Sequence, residues 1–240
     1  MTAPWTDGPH ELLQHAVDHL AKGGDFDRRI AMVSIDNAVE LMVKTYLGLP
    51  KRARSSPGPS RKALDSASES FPALLDLLDT HASDRIVGFS LDDIEWYHRI
   101  RNQLYHSGNG ITVERSKVET YFELALILFE NLFSIRPNLT HTDSIRTKTG
   151  EFLGMWVAFQ RHLRTLIPKC KNGAVPFTFR YKLLNKVSPD GEALYKSLAQ
   201  FRNEVVHGLQ SHDVKELQEN IDRLEKLIKL LSNLPNQRIQ

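Results

Sequence analysis

Apolar residues recur along this chain at steps of three and four, the spacing that lines one face of an α-helix. Val118, Tyr121, Phe122, Ala125, Leu128, Phe129, Leu132 and Phe133 make one stripe. Val214, Leu217, Ile221, Leu224, Ile228 and Leu231 make another. The stretch from Asp25 to Leu47 is apolar on most sides, through Ile30, Val33, Ala38, Leu41 and Met42, as a central buried helix would be. Start signals accompany these patterns. Ser188-Pro189-Asp190 reads as an N-cap, a proline at the first helical position and an acid at the positive end of the helix dipole. Ser90 with Asp92 and Asp93, and Ser211 with Asp213, repeat the cap-plus-acid signal. The pattern predicts helices over 9–22, 25–47, 63–81, 91–106, 112–135, 150–167, 178–187, 190–207 and 211–232. Phe177 to Tyr181 alternates, but it is short and follows Pro176, so an extended loop and a helix start both fit it. No convincing set of strands emerges, and the fold class is all-α.

Two segments interrupt the helical pattern. Leu49 to Lys62 (LPKRARSSPGPSRK) is rich in proline, serine and arginine and longer than the usual connection, so a flexible basic loop is expected over 49–62. Arg136 to Thr149 is polar and poor in apolar residues. It marks a boundary between one helical domain over 1–140 and a second over 141–240.

Composition narrows the class. With 240 residues, 41% hydrophobic and 25% charged, the chain has the make-up of a globular protein and enough apolar material for a core. No stretch approaches the roughly 18–20 uninterrupted apolar residues of a membrane span; the most apolar run, Tyr121 to Phe133, carries Glu123 and Glu130. No membrane partner is expected. The first residues, MTAPWTDGPHELL, do not read as a secretion signal. Cys170 is the only cysteine, which excludes an internal disulfide and a cysteine-clustered metal site and fits a cytoplasmic setting.

A net charge of +2 hides an asymmetry. Residues 1–140 hold 15 Lys and Arg against 19 Asp and Glu, whereas residues 141–240 hold 16 against 10. From Gln160 to Ser188 there are seven basic residues and no acidic one: Arg161, Arg164, Lys169, Lys171, Arg180, Lys182 and Lys186. Such a patch concentrates an anionic partner, usually nucleic acid. Phe159, Phe177, Phe179 and Tyr181 interleave with it, and cations with rings suit single-stranded RNA. A solvated helix face with its aromatics in the core is the competing explanation.

One repeat carries the chemistry. Arg101-Asn102-Gln103-Leu104-Tyr105-His106 returns 101 positions later as Arg202-Asn203-Glu204-Val205-Val206-His207. Both copies are Arg-Asn-x-x-x-His, both end a predicted helix, and both are followed within two residues by glycine (Gly108, Gly208). With 17 Arg, 11 Asn and 10 His, chance supplies roughly 0.03 copies of the pattern per chain. On a helix, Asn and His four apart lie within about 40° of each other, and arginine is long enough to join them. The helix dipole favours the protonated histidine and the arginine opposes it, so the sequence leaves the charge open. Each motif thus pairs a group that titrates near neutrality with a permanent cation, which suits acid–base work on a phosphodiester. A purely structural alternative has Arg and His binding the last carbonyls of the helix.

The duplicated motif at helix ends resembles the HEPN superfamily (higher eukaryotes and prokaryotes nucleotide-binding). The family pattern is Arg, four to six residues, then His, commonly with a polar residue after the Arg. The resemblance implies two tandem helical bundles packed as a pseudo-dimer, over 9–135 and 150–232. It also implies a metal-independent endoribonuclease that needs no cofactor, with RNA as substrate. His106 and His207 would move protons at the attacking and leaving oxygens. Arg101 and Arg202 would stabilise phosphoryl charge, and Asn102 and Asn203 would orient the histidines or contact the phosphate. Arg161, Arg164, Lys169, Lys171, Arg180 and Lys182 are the candidate RNA-binding residues. Family members pool two motifs in one cleft, so the site forms within this chain or in a homodimer. Many are toxins or antiviral defence effectors governed by an inhibitory or activating protein partner. Others bind nucleotides or RNA, or serve as oligomerisation adaptors, without cleaving. A tyrosine two residues after the His, used for regulatory modification in some toxins, is replaced here by Gly108 and Leu209. Glu204 inside the second motif would repel phosphate and is expected to point elsewhere.

Other motifs carry less. His10-Glu11-Leu12-Leu13-Gln14 has Gln14 where a zinc-protease motif needs its second histidine. His15 and His19 are spaced to share a metal with Asp18, but a solvated helix face explains them better, and no metal site is expected.

Overall fold

The computed structural model describes residues 4–54, 57–106, 112–140, 148–167, 177–209 and 212–234. The described residues form α-helices and short 3₁₀ turns, with no strand among them. The chain divides into two compact units, Met1–Arg146 and Thr147–Gln240.

The first unit holds α1 (Asp7–Lys22), α2 (Asp25–Gly48), α3 (Arg61–Ala67), α4 (Phe71–Ala82), α5 (Leu91–His106) and α6 (Arg115–Phe133). Helix α2 is its axis and packs against all five others. Ala31, Met32, Ile35, Ala38, Val39, Met42 and Val43 are fully buried, whereas Ile30 and Val33 are half-buried and Leu41 is exposed. The stripe on α6 is core from Val118 to Leu132, with Phe133 at its margin. Ser90 and Asp93 start α5 as a reciprocal cap. The Ser90 N–H donates to Asp93 Oδ2 at 2.8 Å, and Ser90 Oγ accepts from the Asp92 N–H at 3.0 Å.

The helix expected over 63–81 is two helices, because Pro72 stands at the start of α4. Proline has no N–H to offer the preceding turn, so α3 ends at Ala67 and Ser70 is extended. The basic stretch between α2 and α3 is fastened where it is described; Ser55 and Ser56 lie outside the described residues. Arg54 donates to the Leu47 carbonyl at 2.9 Å, and His81 Nδ1 donates to the Pro57 carbonyl at 3.0 Å.

The second unit holds α7 (Lys148–Leu166), α8 (Phe177–Val187), α9 (Gly191–His207) and α10 (Val214–Ser232). Helix α10 packs along α7, and α8 packs on α9. The α10 core face is Leu217, Ile221, Leu224, Leu227 and Leu231. Val214 is 64% exposed, because α10 begins there and its first residue projects past the core. Ile228 is half-buried, with Leu227 taking the inward position. The cap is Asp213, whose Oδ1 accepts from the Glu216 N–H at 2.7 Å; Ser211 lies outside the described residues. Ser188-Pro189-Asp190 forms a turn ahead of α9, with the Gly191 N–H on the Ser188 carbonyl at 3.0 Å. The alternating Phe177–Tyr181 segment is the first turn of α8. Among the described residues no helix is long and apolar enough to cross a membrane.

Gly191 sits where α8 hands over to α9. A Cβ there would fall 2.3 Å from the Leu184 carbonyl oxygen, and backbone cannot step aside as a side chain can. Gly191→Ala should therefore destabilise by about 1–3 kcal/mol, read as a lowered thermal midpoint.

Candidate functional site

The first motif occupies the last turns of α5 and is organised around one buried carboxylate. Asp36, on the face of α2 turned to α5 and α6, has no exposed surface. Arg101 reaches it from α5, with Nε at 2.6 Å and a terminal nitrogen at 2.5 Å from Oδ2. His98, one turn earlier on α5, places Nδ1 3.0 Å from the same oxygen. Tyr121 from α6 donates its hydroxyl to Oδ1 at 2.9 Å. The carboxylate thus receives donors from two helices besides its own, which a charge fully out of water requires. Rings close the surroundings: Tyr97 stacks on Tyr121 with centroids 4.5 Å apart, and Phe71 stacks on His98 at 4.2 Å. Glu40, one turn along α2, lies 4.0 Å from Arg101 and is paired with Lys44 at 2.6 Å.

Burial, and secondarily the Asp36 charge, push the Tyr121 hydroxyl well above the ordinary tyrosine range. Tyr121 therefore remains a neutral donor to Asp36 wherever the protein is folded at ordinary pH.

Asn102 has a role the sequence did not assign. Its Oδ1 accepts from the Arg101 terminal nitrogen at 2.9 Å, so it orients the arginine beside it. Asn203 does the same for Arg202 at 3.1 Å. The motif's first two residues thus form one unit in both copies, locked by a bond between neighbouring side chains. His106 closes α5, but its side chain lies outside the described residues.

The second motif ends α9. Gly208 follows His207 in the left-handed region, φ 59°, and turns the chain immediately after the histidine. His207 is half-buried and Asn203 exposed, while Arg202 is only 5% exposed. Glu204 is occupied within the unit. Its Oε1 accepts from Gln200 at 2.9 Å, and Oε2 lies 4.0 Å from His212, which bonds Glu216 at 2.9 Å.

The basic stretch is less uniform than its composition. Arg164 and Lys182 are exposed and Arg161 is half-buried; Lys169 and Lys171 lie outside the described residues. Arg180 is held inward, donating to the Tyr195 hydroxyl at 2.5 Å with its guanidinium 5.2 Å from the ring centroid. Phe159 has no exposed surface and belongs to the core, so it offers no face to a base. On α1, His15 meets Ser34 at 2.9 Å and His19 meets Asp27 at 2.7 Å.

Comparison with protein-family models, with curated proteins and with solved structures gives no match. The functional assignment therefore rests on the residues themselves.

Asp36 and His98 are the residues that sequence reasoning missed. A lone acid amid the buried apolar positions of α2 was the available signal for the first. A histidine three residues before Arg101, hence on the same helix face, was the signal for the second.

Asp36→Ala should cost about 3–5 kcal/mol in denaturant unfolding, since it leaves Arg101 without its counter-charge. Tyr121→Phe should cost about 1–2 kcal/mol by removing one buried hydrogen bond. Because the Tyr121 pKa is raised on folding, the unfolded chain ionises first. Its contribution is intact below about pH 10 and declines above it, by up to about 1.4 kcal/mol per pH unit. Stability measured from pH 9 to 11 should fall less steeply in Tyr121→Phe than in the wild type.

Proposed function

We propose that the chain is a metal-independent endoribonuclease of HEPN type, in which two Arg-Asn-x-x-x-His motifs serve one RNA strand, within one chain or between two copies. The observation that carries this reading is the repeated construction of the motif. The same hexapeptide pattern ends a helix twice, and in both copies the asparagine fixes the arginine by the same side-chain bond. An arginine held in one orientation presents its remaining N–H groups at little entropic cost, as stabilisation of phosphoryl charge demands.

In this reading one imidazole takes the proton of a 2′-hydroxyl as its oxygen bonds to the adjacent phosphorus. The P–O5′ bond breaks, and the other imidazole gives a proton to the leaving oxygen. The products are a 2′,3′-cyclic phosphate and a 5′-hydroxyl. His106 and His207 are the proton carriers, and Arg101 and Arg202 face the phosphoryl oxygens. Arg164 and Lys182, exposed in the basic stretch, extend the track along the RNA backbone.

A second reading is an RNA- or nucleotide-binding adaptor without catalysis. It is favoured by the burial of the guanidinia: Asp36 occupies two nitrogens of Arg101, and Arg202 keeps only 5% of its surface.

Purified full-length protein incubated with total RNA in chelator separates the two. Cleavage leaving 2′,3′-cyclic phosphate ends, reduced about 100-fold or more by either His106→Ala or His207→Ala, is the expected result. Intact RNA would leave the adaptor reading. Arg164→Glu with Lys182→Glu should weaken RNA retention and lower the log–log salt slope by about 0.7 per lost phosphate contact, measured by filter binding across salt concentrations.

A further inference from the structure

His98 lies outside the hexapeptide, yet it is bound to the same carboxylate oxygen as Arg101. That shared oxygen sets the imidazole and the guanidinium side by side on α5. The carboxylate fixes the ring as well: an oxygen that only accepts calls for a proton on Nδ1. Nε2 is then the working nitrogen, an acceptor in the neutral ring and a donor in the charged one. Among the described residues Nε2 has no hydrogen-bond partner, and the side chain keeps 13% of its surface open. Phe71 stacks on one face of the ring, with centroids 4.2 Å apart. Arg101 is likewise 18% open, and its bonds to Asp36 and Asn102 leave N–H groups over on both terminal nitrogens.

A buried carboxylate holding an imidazole by one nitrogen is the arrangement that orients histidines for chemistry at the other. Here a permanent cation shares the clamp. The negative charge of Asp36 is directed inward, where His98, Arg101 and Tyr121 consume it, and it is fully shielded from solvent. What remains outward is the donor capacity of Arg101 and, once Nε2 is protonated, of His98.

We propose that His98 and Arg101, clamped together by Asp36, form a phosphate-ester site in the first unit, with the protonated Nε2 of His98 and the outer N–H groups of Arg101 donating to separate phosphate oxygens. The site rests on the reading that the first motif handles RNA phosphate, and it can fail separately from it. Asp36 is a positioning residue here, not a catalytic one. Glu40, 4.0 Å from Arg101, opposes an anion and limits affinity, in part offset by Lys44.

The test uses full-length protein with inorganic phosphate and with dimethyl phosphate, a diester probe, at constant ionic strength. Long-range proton–nitrogen NMR spectra of the imidazoles, with the His98 signal assigned by its loss in His98→Gln, report tautomer and binding together. The expected result is a ring that carries its proton on Nδ1 when neutral and takes a second proton on Nε2 as either probe binds, seen as a saturable shift of His98 Nε2. Affinity measured by calorimetry should fall about ten-fold or more in His98→Gln and rise in Glu40→Gln. Because His98→Gln also loosens a buried contact, its thermal midpoint is measured alongside, and the wild-type spectra stand without it. A ring protonated on Nε2 when neutral, or a His98 signal that the probes leave unmoved, overturns the proposal. So does unchanged phosphate affinity in a folded His98→Gln. A responding His98 in a protein that leaves RNA intact keeps the site and removes the nuclease. RNA cleavage with wild-type kcat and KM in His98→Gln keeps the nuclease and removes the site.

Discussion

A carboxylate buried without compensation would unfold the first unit, and most of what surrounds Asp36 follows from that constraint. An ionised group removed from water costs several kcal/mol unless donors replace its hydration. The replacements come from separate helices, Arg101 and His98 on α5 and Tyr121 on α6, so three helices register on one acid. The register is directional in a way apolar packing is not. Sliding α5 along α2 would part Arg101 and His98 from the same oxygen together, whereas leucines tolerate small slips. The motif is therefore built into the load of the fold, and its arginine is held from behind as well as from its own helix.

The two motifs solve the same local problem with different support. Each arginine is tied to the asparagine that follows it. In the first unit a carboxylate on α2 adds a second hold. In the second unit Arg202 is more deeply buried, and the acid within the motif, Glu204, is drawn off toward Gln200 and His212. The duplication preserves the hexapeptide and its place at a helix end while the surroundings differ.

Helices were legible because periodicity and caps are local. The span of α5 reads directly from Ser90, Asp92 and Asp93 at its start and His106 at its end. The split between α3 and α4 was legible in principle from Pro72, but the apolar period runs across it. Val214 and Ile228 show the other limit: a stripe drawn by step size alone cannot tell a helix's first residue from its core, nor choose between adjacent leucine and isoleucine. The hexapeptides stood out by repetition. The surroundings of Arg101 did not, because Asp36 lies 65 residues from it in sequence and 85 from Tyr121, and no spacing rule encodes which acid a given arginine meets. Arg180 and Phe159 show the same limit: composition counts a cation or a ring without showing that Tyr195 bonds the one and the core encloses the other.

The bond from arginine to its neighbouring asparagine has a chemical consequence of its own. With the carbamoyl oxygen turned to the guanidinium, the end of the asparagine that remains is its amino group. Each motif then shows visitors a surface biased toward hydrogen giving: it welcomes oxyanions and carbonyl edges, and it is a poor host for ammonium or amino groups. Exchanging that amide for a carboxylate would preserve shape and size while reversing the preference.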